Sequence, residues 1–197
     1  MRGKRMLQTI RMYLTLNVGK RTKYLKENHV FAAMGDNCSI MDRKIPLYAN
    51  LIRFGNNVHV ASKVSFITHD ITHVMMNHCK SIATNSDNMG GVLENVNCID
   101  IRDNVFIGSN TIILSNVRIG NNVIIGAGSL VNKDIPDNSV VAGVPAKIIC
   151  SFDDFVTKRI SSKQYPIELR PRRQEVSKEL ADFLWDQFEK CRNQTEV

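Results

Sequence analysis

An aliphatic residue returns at every sixth position along one stretch of this chain. The positions are Ile101, Ile107, Ile113, Ile119, Ile125 and Val131, and a Val, Thr or Ser follows four residues after each of the first five. A period of six fits neither an amphipathic helix nor a strand with one apolar and one polar face. It is typical of a solenoid in which each six residues form one short strand and one turn, and three sixes make one triangular coil.

The residues at the expected corners indicate the same architecture. They are Gly, Ala, Asn, Asp and Ser, which tolerate the left-handed or tight backbone angles of a turn. We therefore predict an all-β solenoid whose aliphatic side chains fill a narrow core. The alternative is an ordinary β-sandwich built from short strands.

Sequence in and around these repeats is similar to that of a known family. The similarity rests on the repeats of 107–129, on Val131-Asn-Lys-Asp-Ile-Pro directly after them and on Ala142-Gly-Val-Pro-Ala-Lys. These segments resemble the hexapeptide-repeat acyltransferases, among them the galactoside, maltose, serine and xenobiotic acetyltransferases and the O-acetyltransferases of capsule clusters. The resemblance is close over about 100–150 and weaker over about 34–70. It implies a left-handed parallel β-helix, a homotrimer and acetyl-CoA as co-substrate.

The repeats place the catalytic β-helix domain at 31–150, with two interruptions. The phase slips over 40–54, where two extra residues separate the repeats, and the pattern stops altogether over 70–100. That polar loop insert has no period, which is typical of a functional or mobile segment. The tail at 151–197 is expected to belong to the same domain and to contain an amphipathic helix over about 174–191.

The net charge of +7 is concentrated at the N-terminus. Residues 1–30 contain eight Lys or Arg and one Glu, whereas 31–150 and 151–197 each contain nine of each sign. This excess does not describe a uniformly basic face, so nucleic acid is not an expected partner. Apolar residues at helical spacing over about 4–27 predict that 1–30 form a basic helical cap.

We expect a first helix to end near Gly19 and a second to follow it. The favoured interpretation of these helices is a cap over the open end of the solenoid, where core and strand edges would otherwise be exposed. The alternative is a basic amphipathic helix that makes peripheral contact with anionic lipid.

The cysteines indicate the redox state of the cellular compartment. All five, at 38, 79, 98, 150 and 191, are scattered and lack a Cys-x-x-Cys pair, which predicts reduced thiols in a cytoplasmic protein. We expect no secretory signal, because Arg11 interrupts the apolar stretch and no small-residue cleavage site follows a long apolar run.

His69 is the candidate catalytic residue, because it stands where the repeat stops, in Phe66-Ile-Thr-His-Asp. Acetyl transfer to a hydroxyl needs a base of near-neutral pKa, which suits an imidazole. By resemblance, this position directly before the loop matches the catalytic histidine of the family. Asp70 is poorly placed to orient the ring, because adjacent residues on a strand point opposite ways. A backbone carbonyl or a more distant carboxylate is expected to do so.

The loop contains residue types that can bind a metal ion. His73, His78 and Cys79 form with His69 a set that could in principle ligate zinc. The spacing matches known zinc sites poorly, so no metal is predicted. Contact of His73 or His78 with the acceptor is the alternative role.

The acetyl-CoA site is assigned by resemblance. Ser109 and Ala127 match positions that contact the pantetheine arm, where small side chains let the arm lie close to the backbone. Asn132 and Lys133 match a Thr-Lys pair near the adenosine phosphates, with Asn here in place of Thr, and Lys147 matches a further basic contact. Cations suit the 3′-phosphate and the pyrophosphate of the donor.

The predicted function is direct transfer of an acetyl group from acetyl-CoA to a hydroxyl of a sugar, in surface polysaccharide biosynthesis. The glycan acceptor is implied by the resemblance of the Thr-His-Asp context to the capsule enzymes. One alternative is an acetyltransferase for an antibiotic or other xenobiotic, and another is a non-enzymatic β-helix scaffold. Nucleotide hydrolysis is not expected, because the sequence has no glycine-rich phosphate loop and no dinucleotide fingerprint.

Overall fold

A computed structural model of the chain describes residues 2–79, 91–162, 165–172 and 175–193. Two compact units divide the chain, Met1–Phe155 and Val156–Val197. None of the described helices is both long enough and apolar enough to cross a bilayer.

Three sheets with parallel pairing form the body of the first unit. The first sheet contains β1 (Ala33–Met34), β3 (Ile52–Phe54), β8 (Ile99–Ile101) and β11 (Val117–Ile119). The second contains β2 (Ser39–Ile40), β4 (Val58–Val60), β9 (Val105–Ile107), β12 (Val123–Ile125) and β14 (Ser139–Ala142), with β15 (Lys147–Ser151) antiparallel at its edge. The third contains β5 (Ser65–Phe66), β10 (Ile112–Ile113) and β13 (Leu130–Val131).

The strand register confirms the predicted coil. Ile101 pairs with Ile119, Ile107 with Ile125 and Ile113 with Val131, so each residue lies beside the one three sixes later in the chain. All six aliphatic residues of the repeat are at most 1% exposed. The chain therefore visits each of three parallel sheets once per coil, which excludes the β-sandwich.

Asparagine forms one corner of the coil. The residues concerned adopt a left-handed backbone, with φ of 54° at Asn37, 55° at Asn57, 59° at Asn104 and 55° at Asn122. Their side chains bond to one another from coil to coil, at 2.7 Å from Asn37 to Asn57 and at 2.9 Å in the next two steps. Asn tolerates this conformation because its short side chain bonds locally, and the ladder satisfies the amides along the corner.

The predicted phase slip is present in the first coil. Ser39 pairs with His59, twenty positions later, whereas Val105 pairs with Val123, eighteen positions later, so the first coil is two residues longer than the coil of regular repeats. The extra residues lie in the segment 41–51, which we call the slip segment. It buries Ile45 and ends in a 3₁₀ turn at Ala49–Leu51.

The loop insert leaves the coil after β5. Its arms are β6 (His69–Asp70) and β7 (Asn95–Val96), which pair antiparallel, and α3 (Thr72–Asn77) follows the first arm. Regular coil resumes at Ile99, just inside the loop boundary predicted from the sequence.

Two helices precede the coil, α1 (Arg2–Leu14) and α2 (Val18–Glu27). The prediction that a helix ends near Gly19 was wrong, because Gly19 lies inside α2. The break falls at 15–17, where the Asn17 side chain accepts a hydrogen bond from the Lys20 amide at 2.9 Å and caps α2. Met12 and Leu25 belong to the same buried cluster as the coil core.

Two further helices follow the coil. The first, α4 (Phe152–Ser161), was not predicted. Its start is fixed by a reciprocal cap, in which the Ser151 hydroxyl bonds to Asp154 Oδ2 at 2.6 Å and accepts from the Asp154 amide at 3.0 Å. The second unit contains a 3₁₀ turn at Ile167–Leu169 and α5 (Lys178–Asn193), close to the predicted C-terminal helix.

An ion cluster covers the outer face of the first sheet. Asp100 Oδ1 lies 3.2 Å from Arg53 Nε, and its Oδ2 lies 3.1 Å from Arg102 Nη2 and 2.9 Å from Arg118 Nε. The Asp100 side chain is only 13% exposed. A largely desolvated carboxylate is tolerated here because three guanidinium groups surround it.

Asp100→Asn is expected to lower the free energy of unfolding by about 1–3 kcal/mol, because three arginines then lose the carboxylate charge that they share. Urea denaturation of the full chain measures this. The matched control is Asp36→Asn, which breaks an ion pair with Lys26. The Asp36 side chain is 89% exposed, so no measurable change in the free energy of unfolding is expected. Equal denaturation midpoints for the two variants would contradict the prediction.

Candidate active site

His69 lies where the coil opens into the loop. On β6 it stands opposite Val96 of β7. The preceding residue, Thr68, is fully buried and donates its hydroxyl to the Leu47 carbonyl of the slip segment at 2.9 Å. This bond joins the two interruptions of the coil, and His69 is held at their junction.

Tyr48 packs against His69. Their ring centroids are 5.3 Å apart and their planes meet at 84°, which is an edge-to-face contact. The Tyr48 hydroxyl donates to Glu94, at 3.1 Å to Oε2 and 3.4 Å to Oε1. This hydrogen bond, together with desolvation and the nearby charge of Glu94, raises the pKa of Tyr48. The phenol therefore remains a donor around neutral pH.

Sequence reasoning missed Tyr48 and Glu94. Tyr48 comes from the slip segment and Glu94 from the returning part of the loop. The only signal in the sequence was that the slip segment and the loop both interrupt the repeat.

The Asp70 carboxylate accepts hydrogen bonds from other residues of the loop. Its Oδ1 accepts from the Thr72 hydroxyl at 2.6 Å and the Thr72 amide at 3.0 Å, and its Oδ2 accepts from Asn95 Nδ2 at 3.0 Å. These bonds, the Thr72 hydroxyl first, lower the pKa of Asp70. His69 Nδ1 is buried and has no hydrogen-bond partner among the described residues. Within that part of the chain the ring is held by packing on Tyr48, and the hydrogen-bonded orienting group expected from the sequence is not found.

A cavity of about 370 Å³ lies beside His69 within the first unit. Its wall is mainly apolar and is formed by Met12, Leu25, Phe31, Ile40, Ile45, Pro46, Leu47, Val64, Phe66 and Ile67. Its polar lining comes from Arg5, Asp42, Lys44, Ser65 and His69. A concave, mostly apolar site with a few polar groups is the usual form of a small-molecule site.

The loop histidines do not form a metal centre in the part of the chain that the structure describes. His78, directly after α3, donates from Nδ1 to the Val74 carbonyl of that helix at 2.7 Å. His73 Nδ1 is buried without a hydrogen-bond partner among the described residues. No three His, Cys, Asp or Glu side chains within the described ranges are grouped so that they could hold a metal ion.

Ser109 and Ala127 occupy the same corner on successive coils. The Gly128 amide donates to the Ser109 carbonyl at 2.8 Å. A Cβ on Gly108 would lie 2.5 Å from the Ala127 nitrogen, so any side chain there would force the coils apart. Ser109 is half-buried and Ala127 is exposed. This corner therefore presents backbone at close range to a thin, extended ligand.

The predicted basic contacts lie on the last coil. Lys147 on β15 pairs with Ala142 on β14, next to the corner that contains Ala127. Lys133 and Asn132 follow β13 and are exposed. The Leu130 amide donates to the Gly143 carbonyl at 3.0 Å, and its carbonyl accepts from the Ala146 amide at 2.8 Å. These bonds tie the turn before Lys147 to the strand before Lys133, which places both lysines at the same end of the coil.

A parallel three-sided coil with an inserted loop that carries a histidine defines a repeat-built β-solenoid fold. Residues 99–133 match the family described as bacterial transferase hexapeptide (six repeats). The galactoside O-acetyltransferase of Escherichia coli (strain K12) is 30% identical over 185 residues, which cover 85% of this chain and 86% of that protein. The chain belongs to the hexapeptide-repeat acyltransferase family.

Two other proteins are similar to this chain. Protein CapG of Staphylococcus aureus is 39% identical over 128 residues, covering 60% of this chain and 63% of that protein, so the chain spans less than two thirds of that relative's length. A solved structure described as a galactoside acetyltransferase in complex with coenzyme A is 27% identical, with a TM-score of 0.50, and the match covers 84% of this chain and 88% of that one.

Proposed function

We propose that this protein is an acetyl-CoA-dependent O-acetyltransferase that acts on a sugar hydroxyl in the synthesis of a surface polysaccharide. Similarity to a galactoside O-acetyltransferase along 85% of the chain carries the proposal. The coenzyme A complex of a related structure supports the donor. The position of His69 on the wall of a cavity supports a general base.

In the proposed reaction, the acceptor hydroxyl oxygen attacks the carbonyl carbon of the acetyl thioester while His69 takes its proton. The C–O bond forms, the C–S bond breaks, and the departing thiolate of coenzyme A receives the proton from His69. The acetyl group passes directly to the acceptor without a covalent enzyme intermediate. Backbone amides near the coil hold the oxyanion of the tetrahedral intermediate.

The donor is proposed to lie along the corner of Ser109 and Ala127. The pantetheine arm fits there because Gly108 and its neighbours let it approach the backbone. Lys147, Lys133 and Asn132, at the same end of the coil, are proposed to face the pyrophosphate and the 3′-phosphate.

A left-handed coil and a cytoplasmic location complete the proposal. Handedness follows from the family rather than from the parallel pairing, since either hand gives the same register. The cytoplasm is supported by the free thiols of Cys38, Cys98 and Cys150, because such thiols persist in a reducing compartment.

The test is free-thiol release from acetyl-CoA in the presence of single acceptors. Galactosides, maltose and other neutral sugars form one arm, amino sugars and antibiotics the second, and buffer alone the third. Sugar-dependent thiol release with an O-acetylated product supports the proposal. Thiol release only with an antibiotic or an amine would replace it with the xenobiotic or N-acetyl alternative. Absence of thiol release with every acceptor in the panel would favour a scaffold.

The protein is expected to be a homotrimer of about three times 22.3 kDa. Phe106 is 46% exposed on the outer face of the second sheet, and an exposed apolar side chain there favours contact with the coils of neighbouring subunits. Light scattering at micromolar concentration measures the mass. A stable monomer would contradict the expectation.

Tyr48→Phe is expected to lower kcat by less than about tenfold and to leave the KM for acetyl-CoA unchanged. The variant keeps the ring against His69 but loses the hydrogen bond to Glu94, which is one interaction to a charged group. Steady-state kinetics measure both constants. Tyr13→Phe, on an exposed ring, is the control. An unchanged kcat for Tyr48→Phe would show that the bond to Glu94 does not position His69.

A further inference from the structure

The outer face of α1 is apolar and uncovered. Its large side chains recur three, four and seven residues apart and lie on one side of the helix. Met6 is 64% exposed, Leu7 68%, Ile10 44%, Tyr13 56% and Leu14 78%. Leu16, just after the helix, is 79% exposed.

The opposite side of α1 packs on the protein. Met12 is 2% exposed and joins the core cluster, and the half-buried Gln8 and Thr9 flank it. A surface helix normally turns its apolar stripe toward the core. Here Met12 anchors the helix in the core, and the Arg43 guanidinium donates to the Tyr13 carbonyl at 3.2 Å, while the apolar stripe faces away. An exposed patch of this kind marks an interaction surface.

Cations surround this apolar face. The chain has no Asp or Glu before Glu27, and residues 1–26 contain eight Lys or Arg. Lys4 and Arg11 are exposed on α1 itself, whereas Arg5 lies on the side of the helix that lines the cavity of His69. The Arg11 guanidinium lies 4.3 Å above the Tyr24 ring, which holds it beside the helix. Long basic side chains around an apolar stripe are the composition of helices that lie in the plane of a membrane interface.

We propose that α1 binds the surface of an anionic lipid membrane through this face. The apolar side chains enter the headgroup boundary, and the cations meet acidic headgroups. A symmetric contact with a second copy is disfavoured, because it would bring the exposed Lys4 and Arg11 of each copy together, with no Asp or Glu on either α1. A lipid surface supplies both the apolar layer and the negative charge.

The proposal also places the candidate active site relative to the membrane. Arg5 and Met12 of α1 line the cavity that contains His69. One face of the helix therefore walls the cavity while the other contacts lipid, so the cavity lies directly behind the membrane-bound helix. The vesicle measurement below needs no acetyl transfer, so its outcome is independent of the proposed function.

The test is flotation of the full-length protein with vesicles of phosphatidylcholine, with and without phosphatidylglycerol. Binding is expected only with the anionic lipid, and it should weaken strongly between 0.1 M and 1 M salt, as the Debye length falls from about 10 to about 3 Å. Leu7→Glu combined with Ile10→Glu should lower the partition coefficient by about tenfold or more. Lys4→Gln and Arg11→Gln should each lower it by about fivefold.

Ile160→Glu is the matched control, because Ile160 on α4 is 78% exposed and receives the same chemical change. It should leave vesicle binding unchanged. Absence of binding to anionic vesicles would overturn the proposal, and so would binding that the Leu7 and Ile10 variants leave intact. A fall in native mass for those variants, without vesicle binding by the wild type, would assign the face to a second copy instead.

Discussion

Replacing His69 with alanine is expected to lower kcat by about 10²–10⁴-fold and to leave the KM for acetyl-CoA nearly unchanged. The imidazole is proposed to act on the acceptor proton only as the thioester is attacked, so its loss affects the transition state. The donor contacts lie on the corner of Ser109 and Ala127 and at Lys133 and Lys147. Steady-state kinetics at saturating acceptor measure both constants, after thermal unfolding has shown that the variant is folded.

A donor-site variant should show the opposite kinetic pattern. Lys133→Ala is expected to raise the KM for acetyl-CoA, because a phosphate far from the reacting atoms is held alike in the ground and transition states. The difference from wild type should shrink with a dephospho-CoA thioester if Lys133 meets the 3′-phosphate.

His73→Ala and His78→Ala are the matched histidine controls for His69. Both lie in the same loop, His73 on α3 and His78 directly after it, and His73 has, like His69, a buried Nδ1 without a hydrogen-bond partner among the described residues. Neither variant is expected to lower kcat as His69→Ala does. Near wild-type turnover in His69→Ala together with loss of turnover in His73→Ala would identify His73 as the general base. Loss of activity with a chelator would favour a metal mechanism.

Ile113→Ala is expected to lower the free energy of unfolding by about 2–5 kcal/mol. Ile113 is fully buried in the narrow core, and every coil contributes few side chains to that core, so the cavity left by truncation is not readily filled. Urea denaturation at a fixed protein concentration measures the change, with the native mass checked for each variant.

Ile112→Ala supplies the control within the same strand. Ile112 is the other residue of β10, it is 42% exposed on the outer face, and its truncation should cost less than about 1 kcal/mol. Because the two variants remove the same atoms from adjacent positions, the difference between them isolates burial in the coil. Equal losses would contradict the assignment of inward and outward positions.

The candidate site was only partly predictable from sequence. His69 could be singled out because it ends a regular pattern. Tyr48 and Glu94 could not, since both are distant from His69 in sequence. Tyr48 reaches the His69 ring because the slip segment bonds to Thr68, and Glu94 reaches the Tyr48 hydroxyl because the loop returns along β6. The five proposed donor residues remain predictions, although the structure places Ser109 and Ala127 on one corner.

The sequence by itself determined the coil, because a period of six needs only local information. Each inward residue is fixed by its spacing, and each Asn corner by the backbone that Asn tolerates. Helix boundaries were less certain: the break before α2 depends on the Asn17 cap, and α4 depends on the Ser151–Asp154 cap.

Only the tertiary structure decided which face of α1 is buried. The sequence shows an apolar stripe at helical spacing, which ordinarily predicts the buried face. The end of the coil instead takes up Met12 from α1 and Leu25 from α2. The stripe of Met6, Leu7, Ile10, Tyr13 and Leu14 is left facing outward, because which side of a helix is buried depends on the surface it meets and not on its own periodicity.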